Sequence, residues 1–177
     1  MERKLMWTSA VLPEGVINQV KQICLANNTD LKLSERFFNF PLHISLKRTF
    51  YVDDFLEVKK DIKQLLNKED DLFLEGLYPF INRDMLWLRI TNEETIITLH
   101  KKLDDMLQSK YSIPIDEFDK NYVPHITLFR DDDLNKIETM YKRIRNHIKF
   151  ESIKVNKYAL GTTLENNEFY IPEKRAL

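Results

Sequence analysis

The chain has 177 residues, of which 43% are hydrophobic and 31% charged, and its formal net charge at pH 7 is −1. This composition is typical of a soluble globular domain, and the near-zero net charge disfavours a general binder of long nucleic acids. The single cysteine excludes an internal disulfide, and the 3 glycines form no glycine-rich phosphate loop, which disfavours a nucleotide-triphosphate or dinucleotide fold.

The apolar run near the N-terminus is too short for a signal peptide or a membrane span. Thr8 and Ser9 interrupt this run, and Pro13 ends it. We therefore expect a cytoplasmic protein without a membrane partner. Polar turns between the predicted elements favour a monomer.

Hydrophobic periodicity predicts strands and helices in alternation along the chain. The predicted strands are residues 5–12, 42–46, 72–81, 85–90, 124–128, 150–160 and 168–171. The predicted helices are residues 14–26, 52–67, 93–109 and a last helix that begins near residue 131 and carries an apolar stripe to residue 148. The segments 31–41 and 110–123 are predicted loops, and 161–167 is a predicted turn.

Several residues of chemically active types fall at positions that favour a structural role. Cys24, His100 and His147 lie on or beside the apolar stripes of predicted helices, which favours packing over catalysis or metal binding. The three aspartates at 131–133 open a helix, where carboxylates accept hydrogen bonds from free backbone amides. We therefore predict no metal site at these aspartates.

Two short strands share one pattern of residues. Residues 42–46 read Leu-His-Ile-Ser-Leu, and residues 124–128 read Pro-His-Ile-Thr-Leu. Side chains alternate between the two faces of a strand. A histidine and a hydroxyl residue would therefore share one face in each strand, with two apolar residues on the opposite face, anchored in a core.

The order of the predicted elements suggests an internal repeat. Segments 5–81 and 84–171 have similar orders of strands and helices. Trp7 precedes the first motif histidine by 36 residues, and Trp87 precedes the second by 38. If the two halves pack about a pseudo-twofold axis, the polar faces of the two motif strands meet across a cleft.

These paired His-x-Ser/Thr motifs, each followed by Leu and about eighty residues apart, resemble those of the 2H phosphoesterase superfamily. This superfamily includes the LigT-type 2′-5′ RNA ligases and the cyclic phosphodiesterases. The stretch 125–130 resembles the second family motif up to its final Arg. The resemblance covers nearly the whole chain and implies a single domain over residues 1–177. Its implied fold is α+β, with two pseudo-symmetric lobes, each a small antiparallel sheet with two outer helices, around a central cleft.

The resemblance also implies the chemistry. His43 and His125 would act as general base and general acid, and Ser45 and Thr127 would donate hydrogen bonds to the phosphate. Such a site needs no metal or other cofactor. The implied substrates are RNA ends with a 2′,3′-cyclic phosphate, or small cyclic or 2′-5′ linked nucleotides. Which histidine is the base, and whether hydrolysis or the reverse ligation dominates, stay open.

Substrate-binding candidates follow the two motifs. An arginine occurs five residues after each motif histidine, where strict alternation would turn it away from the cleft unless the strand ends or twists. The residues four after each histidine share its face under strict alternation, and aromatic side chains can stack on bases. The candidates are Arg130, Arg48, Lys47, Phe129, Trp7 and Tyr122.

Two other functions remain as alternatives. One is a catalytically quiet module on the same fold that binds RNA or nucleotides. The other is a metallohydrolase that uses His43 and His125 as ligands, which the lack of an obvious third ligand disfavours.

Overall fold

The computed structural model describes residues 4–161 and 167–173. Its strands are β1 Lys4–Val11, β2 His43–Val52, β3 Leu72–Asn82, β4 Met85–Ile90, β5 Ile126–Arg130, β6 Phe150–Val155, β7 Lys157–Gly161 and β8 Asn167–Tyr170. Its α-helices are α1 Glu14–Ala26, α2 Phe55–Lys68, α3 Glu93–Tyr111, α4 Glu117–Lys120 and α5 Leu134–Ile144, and Arg36–Phe38 forms a turn of 3₁₀-helix.

Within residues 4–161 and 167–173 the strands form two antiparallel sheets of four strands each. The first sheet has the order β2-β1-β7-β8, and the second has the order β5-β4-β3-β6. The two motif strands, β2 and β5, therefore occupy one edge of each sheet. This arrangement confirms the predicted α+β fold with two antiparallel sheets.

One predicted strand is wrong. Residues 150–160 form two strands that belong to different sheets, with Asn156 between them. Val155 pairs with Leu72 in the second sheet, whereas Lys157 pairs with Val11 in the first. The segment is continuously strand-like because both halves lie in sheets, so periodicity alone does not reveal the crossing.

The predicted duplication remains a prediction. The units β1-α1-β2 and β4-α3-β5 have the same order of elements, and each ends in a motif strand at a sheet edge. The sheets do not divide the chain into its two halves, however. Strand β3 lies in the second sheet, and β7 and β8 return to the first.

Helix faces cover the sheets with apolar side chains. Helix α1 buries Ile17, Val20 and Cys24, and α5 buries Ile137 and Ile144. Burial raises the pKa of the Cys24 thiol to about 12, so this side chain stays protonated and packs like a small apolar residue. The prediction that Cys24 fills the core is confirmed.

The connecting segments differ from the predictions in detail. The predicted loop 110–123 contains helix α4, and helix α5 ends at Ile144, which leaves His147 exposed in the turn that follows. The side chain of Asp133 caps α5 by accepting a hydrogen bond from the backbone N–H of Asn135 at 3.0 Å, as the acidic start of this helix predicted. The predicted turn at 161–167 lies largely outside the described residues.

Gly76 changes the side-chain alternation within β3. Its φ of +73° is in the left-handed region, and a Cβ there would lie 2.8 Å from Oγ1 of Thr91. The exposed residues are Phe73 and Glu75 before this glycine but Tyr78 and Phe80 after it. The glycine therefore lets two aromatic side chains on the far half of the strand face solvent.

Candidate functional site

His43 begins strand β2, and its ring is fixed by the backbone before it. Its Nδ1–H donates a hydrogen bond to the carbonyl oxygen of Pro41 at 2.9 Å. Since a carbonyl only accepts, Nδ1 carries the proton and Nε2 is left free to exchange one. The rings of Trp7 and Phe40 lie 5.4 and 5.2 Å from the imidazole. Burial lowers the pKa of His43, and the hydrogen bond to Pro41 opposes this effect.

His125 has the same arrangement in the other sheet. Its Nδ1–H donates to the carbonyl oxygen of Val123 at 2.7 Å, again two residues back, so Nε2 is again the free nitrogen. The ring stacks on Trp87, with centroids 3.7 Å apart and an interplanar angle of 16°. Burial is the main cause that lowers the pKa of His125, and the positive charges of Arg89 and His43 lower it further.

The two motifs line one cavity of about 700 Å³. His43, Ser45, His125 and Thr127 all contribute to its wall. The sequence predicted that the polar faces of two distant strands would meet across a cleft, and the structure has this arrangement. Two imidazoles with free Nε2 atoms, beside two hydroxyl groups, can exchange protons with a bound phosphate ester and donate hydrogen bonds to it.

Irregular pairing in both motif strands moves the residues that follow the hydroxyls. In β2, Ser9 pairs with Ser45 but Thr8 pairs with Lys47, so β2 has one extra residue at this point. In β5, Trp87 pairs with Thr127 but Leu86 pairs with Phe129, which gives an extra residue at the same place. Such β-bulges break the strict alternation of side chains.

The bulges decide where two substrate-binding candidates lie. Lys47 and Phe129 were predicted to share the faces of the motif histidines, but both side chains are buried, and neither lines the cavity. The Lys47 ammonium forms ion pairs with Asp104 at 2.8 Å and with Asp119. The Phe129 ring packs edge-on against Phe38 at 5.3 Å. The prediction of a shared face is wrong for both residues, because it assumed regular strands.

The two candidate arginines lie outside the cavity wall. Arg48 is exposed, and its guanidinium lies 4.7 Å from the ring centroid of Phe118. Arg130 is also exposed, and its Nε–H donates to Asp84 at 2.6 Å. Strict alternation would turn both arginines away from the motif histidines, but the bulge in β5 returns Arg130 to the face of Thr127, because Arg130 pairs with Met85. Distance along the strand, and not the strand face, therefore separates Arg130 from the motif residues.

A different arginine, Arg36, lines the cavity together with the motif residues. It lies in the 3₁₀ turn before β2, and its guanidinium is 4.5 Å from the ring centroid of Phe37. Arg36 was not among the predicted site residues, because residues 31–41 were predicted to form only a connecting loop. The available signal was a cation among aromatic residues in a loop that leads directly into a motif strand.

The two aromatic candidates differ in position. Trp7 is half-buried and contacts His43, so it forms part of the surroundings of the cavity. Tyr122 stacks on His100 at 3.9 Å, and its hydroxyl donates to the backbone carbonyl of Ser45 at 2.8 Å. Tyr122 therefore holds the backbone of the first motif.

A buried polar cluster supports strand β2 behind the cavity. We define this Lys47 cluster as Lys47, His100, Asp104 and Asp119. His100 Nδ1–H donates to the carbonyl oxygen of Leu46 at 2.6 Å, and its Nε2 lies 3.2 Å from Asp104. Burial raises the pKa of Asp104, although Lys47 acts in the opposite direction. His100, predicted to pack beside its helix stripe, is indeed buried.

The acidic members of this cluster also bear on metal binding. Within the described residues, His100, Asp104 and Asp119 are the one group of three potential ligands that lie close enough to share an ion. The Lys47 ammonium is ion-paired with both carboxylates and already supplies the positive charge there. The three are therefore best described as a charge cluster that fixes β2 to α3 and α4.

None of the helices in residues 4–161 and 167–173 combines the length and the apolar character that crossing a bilayer requires. The cytoplasmic location and the monomeric state stay predictions.

The sequence is similar to those of known proteins. The sequence model of the 2′-5′ RNA ligase superfamily matches residues 12–167. The chain is 26% identical over 156 residues to "Putative phosphoesterase GWCH70_0799" of Geobacillus sp. (strain WCH70), which covers 84% of this chain and 85% of that protein.

Solved structures show the same fold at low sequence identity. E. coli LigT complexed with ATP superposes with a TM-score of 0.62 at 16% identity, over 99% of both chains. Kluyveromyces marxianus Usb1 superposes with a TM-score of 0.54 at 10% identity, over 96% of this chain and 98% of its own. E. coli LigT has also been solved in complex with 3′-AMP, with a TM-score of 0.59 at 16% identity, over 99% of both chains.

Proposed function

Because the chain belongs to the 2′-5′ RNA ligase superfamily, within the 2H phosphoesterases that its motifs resemble, we propose that it is a metal-independent phosphoesterase that acts through its two motif histidines. The proposed substrates are 2′,3′-cyclic phosphates and 2′-5′ linked RNA or nucleotides, with ligation as the reverse reaction. The observation that carries this proposal is that both His-x-Ser/Thr motifs line one cavity.

The proposed reaction assigns one proton transfer to each imidazole. For a 2′,3′-cyclic phosphate, Nε2 of one histidine takes a proton from water while the water oxygen forms a bond to phosphorus. Nε2–H of the other histidine gives its proton to the ribose oxygen whose bond to phosphorus breaks. The nearly equal surroundings of His43 and His125 leave open which of the two is the base.

Three side chains of the cavity wall suit the charge of the phosphate. The hydroxyls of Ser45 and Thr127 would donate hydrogen bonds to the non-bridging oxygens, where charge accumulates in the transition state. The Arg36 guanidinium is a cation of the described cavity wall, and arginine can bind a phosphate through two parallel hydrogen bonds. We therefore propose for Arg36 the phosphate-binding role that the sequence predicted for Arg48 and Arg130.

Product analysis tests the proposed function. The purified protein is incubated with an excess of EDTA and either an RNA oligonucleotide ending in a 2′,3′-cyclic phosphate or a 2′-5′ linked oligonucleotide, and the products are separated by chromatography. We expect turnover of at least one substrate at an unchanged rate in chelator. Turnover that stops in EDTA would support the metallohydrolase. Binding of both substrates without any turnover would support the nucleotide-binding module.

The lowered pKa values of the two histidines predict an acidic activity optimum. The acid–base pair works only when one imidazole is neutral and the other is charged. Since burial lowers both pKa values below the usual 6.5, the singly protonated form of the free enzyme is most populated below pH 6.5. We expect kcat/KM to peak below pH 6.5 and to fall as the pH rises through 7, because both imidazoles are then neutral.

The pH profile of kcat provides an internal comparison. A bound phosphate favours the charged imidazole, so the optimum of kcat is expected at a higher pH than that of kcat/KM. A kcat/KM that keeps rising up to pH 8 would contradict the assignment of a charged histidine as the acid.

A further inference from the structure

The cleft-facing side of the second sheet continues beyond the motif residues. Trp87 of β4 pairs with Thr127 of β5 on one side and with Phe80 of β3 on the other. Directly paired residues in an antiparallel sheet share a face. Phe80 therefore lies on the same face as Thr127, two strand spacings or about 10 Å away.

The next row of this face carries a second aromatic residue. Tyr78 of β3 pairs with Arg89 of β4. Arg89 is close enough to His125 for its charge to lower the pKa of that imidazole. In this row, Arg89 lies between His125 and the Tyr78 ring.

These two aromatic side chains are exposed, although they belong to a strand with a well-packed opposite face. Tyr78 is 42% exposed and Phe80 is 38% exposed, whereas Leu77 and Pro79 beside them are buried. The Arg89 guanidinium lies 5.1 Å from the ring centroid of Phe80. Two exposed rings and a cation beside them form a stacking surface on the sheet face that also carries the cavity residue Thr127.

We propose that Tyr78, Phe80 and Arg89 form a base-stacking subsite for the nucleoside attached to the reacting phosphate. This inference rests on the proposed function, which makes the ligand a nucleotide with its phosphate between the two histidines. The base of that nucleoside projects away from the phosphate, and the two rings lie on the same sheet face about two strand spacings from Thr127. Stacking tolerates any base, because every base has a π-face, so the subsite selects nucleotides without selecting sequence.

Arg89 suits this role better than a free surface arginine would. Its Nε–H donates to Glu93 at 2.6 Å, and the guanidinium is half-buried, so its plane is held beside the Phe80 ring. A fixed guanidinium can stack on a base as well as attract its phosphate.

Isothermal titration with two phosphate ligands tests the subsite without requiring turnover. The ligands are a nucleoside 3′-monophosphate and ribose 3′-phosphate, which lacks the base. We expect Tyr78→Ala and Phe80→Ala each to weaken binding of the nucleotide by about tenfold, because loss of one stacking partner reduces affinity by about that factor. Binding of ribose 3′-phosphate is expected to stay unchanged.

Phe73→Ala is the matched control. Phe73 is an exposed aromatic residue of the same strand, and Lys154 lies over its ring at 5.9 Å, but it pairs with β6 rather than with β4. This variant should bind both ligands like the unaltered protein. Circular dichroism of the three variants should match that of the unaltered protein, because their side chains are exposed.

The outcomes separate the subsite from the function. Unchanged nucleotide affinity in Tyr78→Ala and Phe80→Ala, or equal losses for both ligands, would overturn the subsite. Failure of the unaltered protein to bind the nucleotide more tightly than ribose 3′-phosphate would also overturn it. Failure of the proposed function would be seen instead as an absence of turnover in the chromatographic assay, while the titration still reports on the subsite.

Discussion

Replacement of His43 or His125 by alanine is expected to lower kcat/KM for a 2′,3′-cyclic-phosphate substrate by about 10²–10⁴-fold in each case. Each substitution removes one of the two proton transfers. It also removes an imidazole whose Nδ1–H is held by a backbone carbonyl, which leaves its Nε2 free to exchange a proton. The measurement is the initial rate of product formation at several substrate concentrations, near the optimum pH of the unaltered protein.

Two comparisons make this expectation specific. His147→Ala, which removes an exposed histidine outside the cavity, should leave kcat/KM unchanged. The double variant of His43 and His125 should lose little more than the worse single variant, because residues that act as a unit are not additive. A single variant that keeps more than a tenth of the activity would remove its histidine from the proposed mechanism.

Lys47→Met is expected to destabilise the fold by about 3–5 kcal/mol. Methionine has a similar length but leaves the carboxylates of Asp104 and Asp119 buried without their cation. Uncompensated buried charge is far more costly than the loss of a pair at the surface. Denaturant unfolding of the variant and the unaltered protein measures this difference.

The matched control is Lys102→Met. Lys102 forms a partly exposed ion pair with Glu69 at 2.6 Å, and its loss should cost at most about 1 kcal/mol. A loss of that size in Lys47→Met would show that the Lys47 cluster contributes no more than a surface pair.

The effect of Lys47→Met should also depend on pH. Burial raises the pKa of the Asp104 carboxyl in the folded state, and loss of the ammonium removes the interaction that opposes this rise. Groups of this kind favour the folded state at low pH, and the benefit is lost as the pH rises through their folded pKa values. The destabilisation relative to the unaltered protein should therefore be largest near neutral pH and should shrink towards pH 4. Addition of Asp104→Asn and Asp119→Asn should recover part of the lost stability at neutral pH.

Local patterns determined most of the secondary structure. Helix α1 and strand β4 have the predicted bounds. The apolar stripe of α1 and the run of strand-forming residues in β4 both end at clear turn residues. The crossing at Asn156 was missed, since both sides of it are strands and only the pairing partners differ. Helix α4 was missed because four residues carry too little periodicity to be recognised.

The sequence by itself determined the family and the four motif residues of the cavity, because two copies of a short pattern in strands place a histidine and a hydroxyl on one face. Only the tertiary structure decided which other residues surround them. A bulge after each hydroxyl turns Lys47 and Phe129 into the interior, and a 3₁₀ turn brings Arg36 to the cavity. Bulges and the course of a loop depend on pairing with distant strands, and that information is absent from the local order of residues.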